Sequence, residues 1–353
     1  MLRFDSILNS RSHSLSSQVA RGLLWLASQP YGAVVQARNR MYDRGWLESK
    51  SATLPVVSIG NLTAGGTGKT PACALFARWF RNHGIRVAIL SRGYRALEDG
   101  VNDEARELEV LLPDVPHLQS PDRCAMAELA DQELGMQVLL LDDGFQHRRI
   151  RRDLDVVLID ATEPFGYGYL LPRGLLREPI RSLRRADMVI ATRSDQVDRQ
   201  RLSELRNRIQ RYNPRAAWLE AEHAAIDLVN HDGMRLELNT LLCKNVLAIS
   251  AIGNPKSFET GLIRLGATLA DHLVFPDHHP FTRLDLEQIE ARLAILSPRP
   301  DLVVCTGKDL AKLQVPALAG VPLYALQIAM RVVAGDAILE EHLQRIREMV
   351  PSE

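Results

Sequence analysis

The sequence predicts an α/β protein: a parallel sheet with helices on both faces, joined by a short β linker to a second, smaller α/β domain. Three observations predict it. Short apolar runs without polar alternation recur between helix-patterned segments, the pattern of strands buried on both faces. The first run, "LPVVSI" (54–59), leads straight into a glycine-rich stretch and then a helix. With 353 residues, 46% of them hydrophobic and 24% charged, the chain has the length for two domains and the apolar content to give each a core.

The elements follow in order. "PACALFARWFRNHG" (71–84) puts Ala72, Leu75, Phe76, Trp79 and Phe80 near one helical face and stops at Gly84, a suitable C-terminal cap. "IRVAILS" (85–91) is the next strand and "PDRCAMAELADQEL" (121–134) the next helix. "QVLLLDD" (137–143) is a strand ending in two acids. "DLDVVLID" (153–160) and "ADMVIAT" (186–192) are further strands, the second followed by a helical "DQVDRQRLSELRNRIQRY" (195–212). "AWLEAEHAAIDLVNHDGMRLEL" (217–238) alternates as a strand does and turns at Asp232-Gly233. A second series completes the chain: "NVLAIS" (245–250), a helix near 256–265, "DLVVC" (301–305), "VPLYAL" (321–326) and "DAILEEHLQRIREMV" (336–350). The expected division is an N-terminal segment at 1–50, a first domain at 51–220, a linker at 221–240 and a C-terminal α/β domain at 241–353.

Lys plus Arg equals Asp plus Glu at 43 each, so net charge offers nothing to nucleic acid, and no nucleic-acid partner is expected. Cys73, Cys124, Cys243 and Cys305 lie far apart without metal-ligand spacing and read as small buried side chains in a reducing compartment. The first 50 residues differ: seven basic residues stand against three acidic ones, around the apolar "GLLWLASQPYGAVVQA" (22–37). Gln29, Pro30 and Gln36 interrupt that run, so it is too short and broken to span a bilayer. Basic residues flanking Trp25, Tyr31 and Trp46 suit a helix lying in a membrane interface. A helix packed on the main domain fits equally well, and the two readings are compatible.

The chemistry begins at "GNLTAGGTGKTP" (60–71). Gly68, Lys69 and Thr70 fill the end of a phosphate-loop consensus, and Thr63 stands where the consensus asks for its first glycine. Placed between a strand and a helix, Thr63, Ala64, Gly65, Gly66, Thr67, Gly68, Lys69 and Thr70 are expected to cradle phosphates with backbone N–H groups. Lys69 would reach the β/γ-phosphates and the Thr70 hydroxyl would ligate Mg2+. Asp142 and Asp143 end a neighbouring apolar strand, where such folds hold that Mg2+. The whole reads as a P-loop NTPase-like sheet. It does not identify the acceptor. Asp103 and Glu104 in "VNDEAREL", and Asp277, His278 and His279 in "VFPDHHPF", are the acid and histidine clusters able to do proton chemistry.

"VVSIGNLTAGGTGKTP", "AILSRGYR", "VNDEA", "LLLDDGFQHRRIRRDLDVVLID", "LLPRGLLREP", "AISAIGNPKSF" and "PDHHPF" together resemble the tetraacyldisaccharide 4'-kinases, over about residues 15–345. In that family the first loop position is itself threonine. The resemblance implies a kinase at the cytoplasmic face of the inner membrane, peripheral or monotopic, acting in lipid A biosynthesis. It would transfer the γ-phosphate of ATP to the 4'-hydroxyl of a tetraacyldisaccharide 1-phosphate with Mg2+, giving lipid IVA, and work as a monomer. It also implies roles. Lys69 and Thr70 would serve phosphates and metal, and Asp142, Asp143 and Glu104 the metal. Asp103 paired with His278 would take the hydroxyl proton. Arg92, Tyr94, Arg123, Gln146, His147, Arg177 and Glu178 would line the cleft. Two positions depart from the family pattern: Gly307 replaces a glutamate in "CTGKDLAKL", and "SRGYRALE" lacks the glycine after its tyrosine.

Two rivals share the loop. In a nucleotide switch or metallochaperone-type GTPase, "ATRSD" (191–195) would be the guanine-reading motif, with Arg193 in place of its lysine. An ATP-dependent scaffold would have no use for Asp103.

Overall fold

The computed structural model describes residues 14–93, 107–109, 111–277 and 279–351. The chain forms two compact units. Unit 1 takes Met1–Tyr94, Leu112–Glu222 and Met330–Glu353, and unit 2 takes Arg95–Leu111 and His223–Ala329.

Unit 1 begins with α1 (Leu15–Asp43), β1 (Val56–Asn61), α2 (Lys69–Asn82), β2 (Val87–Ser91), β3 (His117–Gln119) and α3 (Arg123–Gln132). It continues with β4 (Val138–Asp142), β5 (Leu154–Asp160), β6 (Met188–Thr192), α4 (Arg199–Gln210) and the start of β7 (Ala217–Val229). The strands lie in the order β7-β6-β5-β1-β4-β2-β3, and every pair is parallel. All residues of β1, β2, β4 and β6 are buried, which is why the sequence shows no alternation there. One face packs Leu54, Val56, Leu90, Leu139 and Leu141 on Cys124, Ala127 and Ala130 of α3. The other packs Val157, Ile159 and Val189 on Leu202, Leu205 and Ile209 of α4. Helix starts follow local chemistry: Asp122 accepts from the Cys124 and Ala125 N–H groups, and Asp198 from that of Arg201.

The N-terminal segment forms one helix whose two halves differ in what they touch. In the second half of α1, Tyr31 Oη donates to the Arg177 carbonyl at 2.9 Å and Asn39 Nδ2 to Glu178 Oε2 at 2.6 Å. The first half leaves Leu15, Val19, Leu23, Trp25 and Leu26 exposed, at 48–80% of their full area. No helix among the described residues is long and apolar enough to cross a membrane.

Unit 2 continues β7 through a turn at Asp232-Gly233 into β8 (Arg235–Leu236), antiparallel to it. Gly233 takes φ 81°, which glycine adopts without strain. Then come β9 (Asn245–Ser250), α5 (Pro255–Arg264), β10 (Thr268–Val274), α6 (Arg283–Ile295), β11 (Leu302–Thr306), α7 (Gly307–Leu313), β12 (Ala317–Leu318) and β13 (Val321–Ala334). Its parallel order is β10-β9-β11-β13. The sequence pattern missed β10 and α6. Most β10 residues are only half-buried, and α6 buries just Ile289 and Leu293, so neither carries a strong apolar period. The chain leaves unit 2 along β13, and the last helix, α8 (Asp336–Glu348), belongs to unit 1. The sequence expectation of one contiguous domain at 241–353 places that helix with unit 2 instead.

One close approach sets the position of the segment after β4. A Cβ on Gly60, near the end of β1, would lie 2.6 Å from both Cβ and N of Phe145, whose ring is fully buried. Because the obstacle is backbone, Gly60→Ala should destabilise unit 1 by about 1–3 kcal/mol, the cost of overpacking a core. Denaturant unfolding checks this, and an unshifted midpoint would contradict so close a packing.

Candidate functional site

The carboxyl end of β1 runs into residues 62–68 and α2. Gly68 precedes the helix at φ 91° and Gly65 takes φ 124°, so these two glycines are fixed by backbone conformation. No side chain caps α2, which leaves its first N–H groups directed at whatever lies in the loop. The outer side of the loop is tied down. Asn61 Nδ2 donates to Thr67 Oγ1 at 2.8 Å, Thr192 Oγ1 to the Thr67 carbonyl at 3.0 Å, and Arg193 Nη2 to the Gly66 carbonyl at 3.0 Å. Arg193 also pairs with Asp160 at the end of β5.

Thr63 is explained by its backbone. It forms an antiparallel bridge with Leu176, while Ala64 N–H donates to the Leu175 carbonyl at 2.7 Å and Arg177 N–H to that of Leu62 at 2.8 Å. The chain is held here by an isolated β-bridge to a distant segment. A β-branched residue suits it, and the consensus glycine has no task.

The acids arrive from β4, paired directly with β1 so that Ile59 stands opposite Asp142. Asp142 is 5% exposed, and the Cys73 thiol of α2 donates to its Oδ1 at 3.6 Å. Asp143 follows at φ 52°. Arg177 Nη1 donates to both its oxygens at 2.9 and 2.7 Å, Lys69 Nζ stands 3.7 Å away, and Arg123 Nη1 donates to its carbonyl at 3.3 Å. Burial pushes the Asp143 pKa up, but Lys69, Arg177 and Arg123 outweigh it and hold the carboxyl below its usual value. Asp143 is therefore ionised, and its charge gathers the cations.

Among the described residues no three His, Cys, Asp or Glu side chains form a ready metal cluster. Mg2+ does not need one, because it is held by one or two carboxylates together with substrate phosphates. The buried Thr70 hydroxyl and the Asp142 carboxylate are a donor set of that hard-oxygen kind.

The run after the acids is a floor. A Cβ on Gly144 would lie 2.5 Å from Ser58 Oγ. Arg152 Nη2 donates to the carbonyls of Gly144, Phe145 and His147 at 2.8, 3.3 and 2.9 Å, and the Arg185 guanidinium sits 4.3 Å over the Phe145 ring. Gln146 Nε2 donates to the Asn61 carbonyl at 2.8 Å, so its amide braces the loop. Glu178, expected along the cleft, has a side chain that is 0% exposed and is engaged by Arg185 at 3.0 Å, Asn39 and Arg38. With no open face it fastens α1 instead. Arg92 is exposed at the end of β2. Tyr94, Asp103, Glu104 and His278 lie outside the described residues. Of the neighbours of His278, Asp277 is exposed, while His279 stacks on Phe275 at 5.1 Å and stands 3.0 Å from Asp285, a packing role. Asn61, Cys73, Arg152, Arg185 and Arg193 were missed as site supports. Only Arg193 carried a signal, the "ATRSD" motif.

Burial, reinforced by Arg123, Arg152, Arg149 and Arg92, lowers His147 from the usual 6.5 to about 4. The unfolded chain therefore takes up this proton first, so stability falls as pH drops from 6.5 towards 4. Proton NMR should find His147 neutral at pH 6, and titration near 6.5 would contradict this environment.

The known proteins converge on one family. The family model for tetraacyldisaccharide-1-P 4'-kinase matches residues 20–347. A tetraacyldisaccharide 4'-kinase of Anaeromyxobacter sp. (strain Fw109-5) is 40% identical over 338 residues, covering 91% of this chain and 90% of its own. That of Syntrophus aciditrophicus is 37% identical over 335 residues, covering 88% and 89%. The crystal structure of the "apo" form of LpxK from Aquifex aeolicus, in complex with ATP, superposes with a TM-score of 0.73 at 29% identity, covering 93% of this chain and 99% of that one. On the match across nearly its whole length, together with the loop and acids it folds around, this chain belongs to the tetraacyldisaccharide-1-P 4'-kinase family.

Proposed function

We propose that the protein transfers the γ-phosphate of ATP to the 4'-hydroxyl of a tetraacyldisaccharide 1-phosphate, forming lipid IVA in lipid A biosynthesis. The observation that carries this reading is the phosphate loop with Lys69 and Arg177 gathered on Asp143, in a chain of this family. Phosphoryl transfer asks a protein mainly for positioning and for neutralisation of charge on the phosphoryl oxygens. The N–H groups of the loop and of the first turn of α2 bind the phosphates. Lys69, held near Asp143, is proposed to contact them. Thr70 and Asp142 would hold Mg2+, which when bound neutralises charge across the β- and γ-phosphates, and Asp143 and Glu104 are proposed to support that site. Asp103 is proposed to accept the proton of the 4'-hydroxyl, paired with His278. Arg92, Arg123 and Arg177 supply donors and positive potential beside the acids, and neutral His147 and Tyr94 are proposed to join them as uncharged hydrogen-bonding groups.

The acceptor explains the form of α1. Each buried CH2 of an acyl chain is worth about 0.8 kcal/mol, so a four-chain lipid stays in its bilayer and the enzyme must go to it. The exposed Leu15, Val19, Leu23, Trp25 and Leu26 give α1 an apolar face for that surface, proposed to be the cytoplasmic face of the inner membrane.

The test is turnover of tetraacyldisaccharide 1-phosphate by purified protein with MgATP. Phosphorylated lipid is expected, and protein that binds ATP yet forms none would overturn the proposal. Lys69→Ala should lower kcat by roughly 10²–10³-fold, as removal of a preorganised charge-stabilising group does. Asp103→Ala and His278→Ala should lower kcat strongly while ATP affinity, read by calorimetry, changes little. Normal turnover in both would remove the proton-transfer pair.

A further inference from the structure

Beside α1 lies a cavity of about 220 Å3 lined by no residue of the phosphate loop and by neither Asp142 nor Asp143. Gln36, Asn39, Arg40 and Asp43 of α1 line one side, and Pro179, Arg181, Ser182, Arg184 and Arg185 the other. Four arginines thus face one aspartate. Arg184 and Arg148 neutralise Asp43, and Arg185 is committed to the buried Glu178. Arg40 and Arg181 are exposed, and neither has a carboxylate partner among the described residues. Two unmatched guanidinium groups at a concave mouth, above a floor of fixed ion pairs, form a receptor for a phosphate-type anion, which arginine binds through paired N–H donors.

The position of the cavity names the source of the anion. At 100° per residue, Arg40 returns to within roughly 60° of Leu15, Val19, Trp25 and Leu26 on the helical wheel. Arg40 and these four exposed apolar residues therefore share one side of α1, with Leu23 about 100° away at its edge. A helix laid apolar side down on a bilayer brings Arg40 to headgroup level, where each basic residue adds attraction for anionic lipid.

We propose that this cavity is a binding site for the phosphodiester headgroup of an anionic bilayer phospholipid, separate from the phosphate loop. The proposal rests on the membrane reading of α1. The headgroup would take the donors of Arg40 and Arg181, with Ser182 as a neutral partner. Lipid bound there would fix the depth and rotation of α1 without entering the reaction.

Vesicle flotation of the full chain tests it, with vesicles of phosphatidylcholine alone and of phosphatidylcholine with phosphatidylglycerol. The wild type should bind both, with a salt-sensitive preference for the anionic vesicles. Arg40→Glu with Arg181→Glu should weaken anionic-vesicle binding by roughly 30-fold or more and leave neutral-vesicle binding unchanged. Both positions are exposed, so thermal unfolding should match the wild type. Leu23→Ser with Leu26→Ser should weaken both kinds of binding. Soluble glycerol phosphate should compete no better than salt of equal ionic strength. Retention of the anionic preference by the arginine variant would overturn the site. A raised KM for the lipid substrate in neutral detergent micelles would overturn it too, by assigning the cavity to the substrate's own 1-phosphate. Absence of wild-type binding to either vesicle would overturn the membrane reading beneath it.

Discussion

The ionised carboxylate of Asp143 is the constraint on which the site depends. It stands where three separate pieces of unit 1 meet: the first turn of α2 through Lys69, the end of β4 through its own backbone, and the 175–177 segment through Arg177. Each cation would repel the others without it, and the carboxylate would be desolvated at a cost without them. Removing one member of a fully buried charge pair typically costs about 3–5 kcal/mol; these side chains are 10–27% exposed, so solvent screening lowers the cost here. Charge and backbone act together here, since the same 175–177 segment is also paired to the loop through Leu62, Thr63 and Ala64.

A second layer holds this arrangement from below. Arg152 draws together the carbonyls of Gly144, Phe145 and His147, and Arg185 covers Phe145 while binding Glu178. Glu178 in turn takes Asn39 of α1, and Tyr31 of α1 takes the carbonyl of Arg177. The helix with the exposed apolar face is therefore hydrogen-bonded to the residue beside Asp143. The bonds that hold this helix to unit 1 and those that fix the geometry of the acids therefore form one connected set.

The fold was legible where burial is complete. β1, β2, β4 and β6 are buried at every residue, so uninterrupted apolar runs marked them, and the glycines of the loop marked the phosphate site. Half-buried β10 and thinly buried α6 gave no comparable period. The supporting residues were hidden for a different reason. The side chains of Arg148 and Arg152 are only 11% exposed: the Asn39 carbonyl and Asp43, distant in sequence, satisfy the first, and nearby carbonyls with Asp155 the second. Thr63 looked like a substituted turn glycine because its partner, Leu176, lies far along the chain. The burial of Glu178 was hidden for the same reason: besides Arg185, its partners Arg38 and Asn39 belong to a helix that ends at Asp43.

The most direct measurement is steady-state turnover of the Asp143→Asn variant beside its thermal unfolding. The substitution keeps the shape but removes the charge that gathers Lys69 and Arg177 and turns one acceptor oxygen into an NH2 donor. A folded variant with kcat lowered by roughly 10²-fold or more is the predicted result. Wild-type turnover from the neutral side chain would show that the site does not depend on this carboxylate.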